Sequence, residues 1–210
     1  SGIAAVGDLA VIGTGSRLEV YDVSAATAPR RIAGLDFGHP GTSDVTCVKP
    51  LTGVGEVAVV SETCGERARL LVVDLGRPTA PSVAATVDGP GRAEHAVAVG
   101  AVVWIAGRVT DGAVVRDTVV AVDLGDPADP LVLGSYVAES IADIAADADR
   151  VAVLEDTPGR LTLLDVRDPA SPAVWSRTPI AGRLTAVALD GDRAHVATMD
   201  TIEVLDVGDP

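Results

Sequence analysis

Aromatic side chains are almost missing from these 210 residues, at 2% of the chain: two Trp, two Tyr and one Phe. A core built without them has to be filled by Val, Leu, Ile and Ala, and β-branched Val suits strands stacked in sheets. Asn and Gln are absent altogether, so no N-glycosylation acceptor exists. Lys49 is the only lysine, and 16 basic residues face 30 acidic ones for a net charge of −14. A surface of that sign repels phosphate backbones and argues against nucleic acid as a partner. No apolar run approaches the roughly 18 residues of a spanning helix. The longest, Ala96–Gly107, is broken by Gly100 and reads as two strands of a hairpin.

Repetition is what the chain has in abundance. An apolar run closing on Asp recurs at Leu18–Asp22, Leu70–Asp74, Val119–Asp123, Leu161–Asp165 and Ile202–Asp206, at intervals of 41 to 52 residues. In the first four copies a proline follows seven positions later: Pro29, Pro81, Pro130 and Pro172. Short strands repeated at that period predict an all-β fold, a β-propeller of four-stranded antiparallel blades. Aligned on the Asp, the units fall at about 1–36, 37–88, 89–138, 139–180 and 181–210. Each unit divides into strands A to D; the second, for example, runs Val45–Val48, Val57–Ser61, Ala68–Leu75 and Val83–Val87. The fifth stops at Asp209–Pro210, before its outer strand, so the expectation is a piece of a longer propeller, with a blade that keeps three strands or one completed by a partner as the alternatives. Asp22, Asp74, Asp123, Asp165 and Asp206 read as turn caps, their carboxylates accepting backbone N–H groups, with the prolines stiffening the same turns.

The phrase Leu-x-Val-x-Asp-Val-x-Asp-Pro-x-x-Pro, carried best by Val119–Pro130 and Leu161–Pro172, resembles the LVIVD repeat of bacterial and archaeal surface or secreted proteins. The second copy departs from it at Arg77 and the first at Ala25 and Ala26. The resemblance implies a propeller scaffold and an extracellular or cell-surface location. It implies no particular activity.

The register places Cys47 inside a strand and Cys64 several residues beyond the end of the next. A bridge would require residues 62–69 to fold back, and the register argues against one.

In a propeller the D–A and B–C connections share one face. Those at 36–44, 62–69 and 108–116 are longer than their later counterparts, which makes that face the candidate binding surface. Asp44, His95, Asp143 and Thr185 fall at the inner mouth of strand A. Glu62, Arg108, Glu155, Asp156 and Asp200 follow strand B as loop residues, and Arg183 lies beside them. An acidic mouth of this kind suits a basic peptide or Ca²⁺, the latter through Asp44, Asp143 and Glu155; the alternative is a set of solvated turn residues. No Gly-x-Ser-x-Gly elbow and no His-Glu-x-x-His motif occurs. The expected function is therefore a non-catalytic scaffold binding a protein or glycan ligand through this face. A metal-dependent hydrolase or lyase using Asp44, His95, Asp143 and Glu155 at the central channel is the second reading, and a structural subunit of an extracellular assembly the third.

Overall fold

The computed structural model describes residues 2–38, 47–64, 67–87, 90, 92–111 and 114–208. These form nineteen strands in five antiparallel sheets, each strand pairing with the next in sequence. The first sheet holds β1 (Ile3–Val6), β2 (Leu9–Thr14), β3 (Arg17–Asp22) and β4 (Arg30–Asp36). The second holds β5 (Val48–Val54), β6 (Val57–Cys64), β7 (Arg67–Asp74) and β8 (Ser82–Val87). The third is β9 (Arg92–Val99), β10 (Val102–Asp111), β11 (Val114–Asp123) and β12 (Leu131–Ala138). The fourth is β13 (Ile141–Ala146), β14 (Arg150–Glu155), β15 (Arg160–Asp165) and β16 (Ala173–Pro179). The fifth has three described strands, β17 (Leu184–Asp190), β18 (Arg193–Thr198) and β19 (Ile202–Asp206).

The sheets are arranged as blades. Their first strands pack in sequence, β1 on β5, β5 on β9, β9 on β13 and β13 on β17. One apolar cluster fills each gap between neighbours. The scarcity of aromatics shows here, because Val11, Val60, Val72, Val103, Val153 and Val196 do the filling at 0–1% exposure. Trp104 is the exception, a large ring fully buried in the third sheet, facing the fourth.

The repeated Asp has the same surroundings in every blade. Its carboxylate accepts the N–H two residues on: Ser24 from Asp22, Gly76 from Asp74, Gly125 from Asp123, Arg167 from Asp165 and Gly208 from Asp206, at 2.8 to 3.1 Å. The next residue's N–H bonds the turn between the first two strands, as in Leu75 to Glu56 O and Val166 to Asp149 O, both 2.8 Å. Just before the Asp, each third strand meets a bulge in the fourth, at Val20/Tyr21, Val72/Val73, Ala121/Val122 and Leu163/Leu164. Asp165 carries an added ion pair with Arg167, which with the Arg167 N–H holds its carboxyl at about 2. The Asp74→Ala variant should lose one turn closure and melt about 2–4 °C lower, read by circular dichroism.

Three expectations need correction. The inner strand of the second sheet starts at Val48 rather than Val45; Val45 and Asp44 lie outside the described residues. The 108–116 segment is a paired ribbon and not a loop, since β10 and β11 stay in register as far as Asp111 opposite Val114. Cys47, finally, is disulfide-bonded. The register argued against this because β6 was expected to stop at Ser61. The strand continues to Cys64, and Thr63 N–H bonds Cys47 O at 2.7 Å, bringing the two segments level.

Candidate binding face

The second-to-third-strand turns and the links between sheets share one end of the blades, here the upper end. Pairing with the second strands sets Lys49, His95, Asp143 and Ala186 at one level near this mouth, opposite Ser61, Ala106, Leu154 and Ala197. Three of these four reach to the next blade. Lys49 Nζ donates to Glu94 O at 2.6 Å, His95 Nδ1 lies 3.0 Å from Asp143 Oδ1, and Asp143 Oδ2 accepts Val187 N–H at 3.0 Å. Burial pushes the Asp143 carboxyl up, but His95 and the Val187 and Ile144 N–H groups outweigh it and hold the group below its ordinary value. A second set of carboxylates caps the first N–H of the following inner strand: Asp117 receives Ile141 N–H at 2.9 Å and Asp156 receives Leu184 N–H at 3.3 Å.

The two glutamates expected in loops lie inside strands, with side chains 0% exposed. Glu62 in β6 binds Arg69 Nε at 2.6 Å. Glu155, at the matching place in β14, accepts Arg160 Nε and Nη2 at 2.9 and 2.7 Å, Thr162 Oγ1 at 2.6 Å and, from the previous blade, Tyr136 OH at 3.4 Å. Desolvation raises its pKa, and the Arg160 and Thr162 bonds more than reverse that.

With these acids engaged, the exposed charge at the upper end is mixed, with Glu94, Glu139, Asp156 and Asp200 as well as several arginines. Arg108 lies in β10, about half exposed, 3.3 Å from Asp117; Arg92 and Arg116 are exposed beside it in the third sheet, and Arg183 is exposed ahead of β17 in the fifth. Glu94, His95, Gly107, Arg108, Asp117 and Ile141 line a cavity of about 40 Å³ between the third and fourth blades. Gly107 is required there, because a Cβ would sit 2.4 Å from Arg92 O. Above the cavity, three pairs of the β10–β11 ribbon extend past Arg108–Asp117, the last pair flanked by β9 and β12. Val109 and Val115 are 38% and 55% exposed on its arms.

Of the expected site residues, His95, Arg108 and Asp143 thus gather between two blades. Glu155 also faces the third blade, through Tyr136, but is held within the fourth by Arg160 and Thr162; Asp156 turns to the fifth blade, and Glu62 is in the second. Arg183 is near Met199, its Nη1 3.9 Å from the sulfur, while Thr185 Oγ1 binds Ala197 O and Asp200 stays exposed. Among the described residues no three His, Cys, Asp or Glu side chains converge on one point. Lys49 and Asp117 were missed, Lys49 because the inner strand was set three residues early. Its signal was being the chain's single lysine.

No protein-family profile matches this chain, and no curated protein does. Solved structures do. A protein of unknown function from Desulfotomaculum acetoxidans superposes with a TM-score of 0.71 at 12% identity, over 96% of this chain and 64% of its own. A chain of a nidogen/laminin complex gives 0.60 at 12% identity, over 98% and 75%. The N-terminal domain of Nup159 gives 0.58 at 13% identity, over 97% and 56%. The solved neighbours have β-propeller-like folds. The fold is a β-propeller. At these identities the likeness concerns the fold alone, and the chain spans less than two thirds of the first of these structures. Within the propeller, the belt of Lys49, His95 and Asp143 runs from blade to blade around the mouth.

Proposed function

We propose that this propeller is a non-catalytic binding module whose upper face takes a protein partner, with the β10–β11 ribbon as its anchor. The observation that carries the reading is the ribbon itself. It is a paired element that extends past the flanking strands, with Val109 and Val115 exposed on its two faces next to Arg108 and Arg116. Apolar side chains flanked by arginine have the composition of a protein contact. The groups a channel enzyme would need support the same reading by their employment, since His95, Asp143 and Glu155 bond within and between blades. Arg92, Arg108 and Arg116 at the base of the ribbon favour a segment bearing carboxylates there over the basic peptide expected from sequence. An exported setting is consistent with the disulfide at Cys47 and with the LVIVD resemblance.

Panning a phage-displayed random peptide library on the immobilised chain tests this. Enriched clones should be rich in Asp and Glu and should lose at least about tenfold in affinity against a Val109→Asp, Val115→Asp variant, roughly the 1.4 kcal/mol of one contact residue. Enrichment that ignores the ribbon substitutions, or no enrichment, would sink the proposal.

A further inference from the structure

A blade in the middle of this array is covered on both faces, and the repeated Asp tells which residues face forward. Those two and four positions before it point to the following blade. In β15 they are Leu163 and Leu161, 4% and 1% exposed in the core shared with the fifth sheet. In β19 they are Val204 and Ile202, 55% and 72% exposed. Val204 pairs with His195, which pairs with Ala188, and Ile202 with Ala197, which pairs with Ala186, so all six share one uncovered face.

The polar part of a blade contact is present there too. In the fourth sheet Arg150, 9% exposed, lies 5.8 Å over Trp175, pairs with Asp147 at 2.7 Å, and donates to Gly191 O at 2.8 Å and Val207 O at 2.6 Å of the fifth. The turn that carries it reads Asp147-Ala-Asp149-Arg150. The fifth sheet repeats it as Asp190-Gly-Asp192-Arg193. Arg193 pairs with Asp206 in the ladder as Arg150 does with Asp165. Its side chain is exposed and, among the described residues, makes no hydrogen bond or ion pair. Beside it lies an open hollow of about 710 Å³, lined by Asp190, Asp192, Val204 and Asp206.

The opposite end of the array offers the matching half. Gly7 and Val23 occupy the places of Gly191 and Val207. The two glycines have φ of 56° and 54°, and Val23 N–H bonds Asp8 O as Val207 N–H bonds Asp192 O. Ile3 pairs with Ile12 and Ala5 with Ala10, the positions of Val187–Val196 and Leu189–Ala194 that bury the fifth blade against the fourth. Ile3 is 67% exposed. Among the described residues β17 does not pack on β1 as neighbouring inner strands pack.

We infer that the forward face of the fifth blade is a docking surface for a second copy of this chain, which inserts the backward face of its first blade, with Arg193 gripping Gly7 O and Val23 O. The contact is head-to-tail and continues the four blade contacts within the chain.

Sedimentation velocity over a concentration series at about 0.15 M salt and above tests it, the salt screening repulsion between two acidic chains. The wild-type chain should pass from monomer to dimer or larger head-to-tail species. Ile202→Glu and Ile3→Glu, both at exposed positions, should each abolish self-association with unchanged circular dichroism. Mixing the two should restore a one-to-one complex, because each retains the face the other lacks. Arg193→Ala should weaken association by about tenfold or more. A wild-type chain that stays monomeric to hundreds of micromolar overturns the inference, as does an Ile3→Glu variant that still dimerises, which would mean a symmetric face-to-face contact.

Discussion

Replacing Glu155 by alanine should destabilise the propeller by about 3 kcal/mol, the lower end of the cost of breaking a buried ion pair. Four side-chain donor atoms converge on this carboxylate, and the three from Arg160 and Thr162 are poorly placed to find water instead. Thr162 is fully buried, and Arg160 is only 22% exposed, so neither can be freely rehydrated. The lower end applies because Arg160 does retain a path to water. In a chain of 210 residues this corresponds to a fall in melting temperature of about 6–12 °C. Glu62→Ala is the internal comparison. Arg69 is 44% exposed and can turn to solvent, so its variant should lose less. Acidity gives the second readout. Glu155 and Asp143 both have pKa values depressed below their ordinary 4.5 and 3.8. The unfolded chain therefore takes up protons first, and stability present above those ordinary values declines as pH falls through them toward the folded ones. Glu155→Gln should be less stable than wild type at pH 7 and should show a shallower decline between pH 5 and 3. Parallel declines in the two proteins would assign the acid sensitivity elsewhere.

How far the fold could be read in advance depended on which residues repeat. The Asp at the end of each third strand, the turn after it and the apolar residues before it recur at one spacing because every blade needs the same closure. Strand order and the three described strands of the fifth sheet follow from that spacing. The candidate site does not repeat, and it was legible only in part. His95, Arg108 and Asp143 were found by alignment, and the structure groups them. Glu62 and Glu155 were read as loop acids because a carboxylate after an apolar strand ordinarily marks its end. Arg69 and Arg160, five residues before the repeated Asp, neutralise them and let the strands run on. That pairing has a sequence signal, an Arg at one fixed offset in the two blades that carry the Glu. Lys49 stayed hidden for a different reason: no repeated residue marks the start of an inner strand, so an error of three residues there removes a side chain from the mouth.

Cys47→Ser should cost about as much as the loss of Glu155, again near 3 kcal/mol. A disulfide stabilises chiefly by restricting the unfolded chain, and the span between the chain's two cysteines is close to the length for which loop-closure entropy gives about 3 kcal/mol. Here the restraint also acts on the folded side. Cys47 is 2% exposed in the core between the first two blades, and its N–H reaches Gly15 O at 2.8 Å in the first blade while its carbonyl accepts Thr63 N–H in the second. The residue therefore pins the entry of β5 to both sheets. Gly13 and Gly53 show how closely those blades approach, since a Cβ on either would sit 2.0 and 2.2 Å from Val48 O and Ala5 O. A loosened entry to β5 has no room to be absorbed there. The expected result is a melting temperature lower by on the order of 10 °C for Cys47→Ser. Wild-type protein treated with a thiol reductant should fall by a similar amount, and the variant should not respond to reductant. The effect should centre on the first two blades, so amides of β5 and β6 should exchange faster with deuterium while those of β14 and β15 keep their protection. Equal melting temperatures with and without reductant would show that backbone pairing alone holds Cys47 in place.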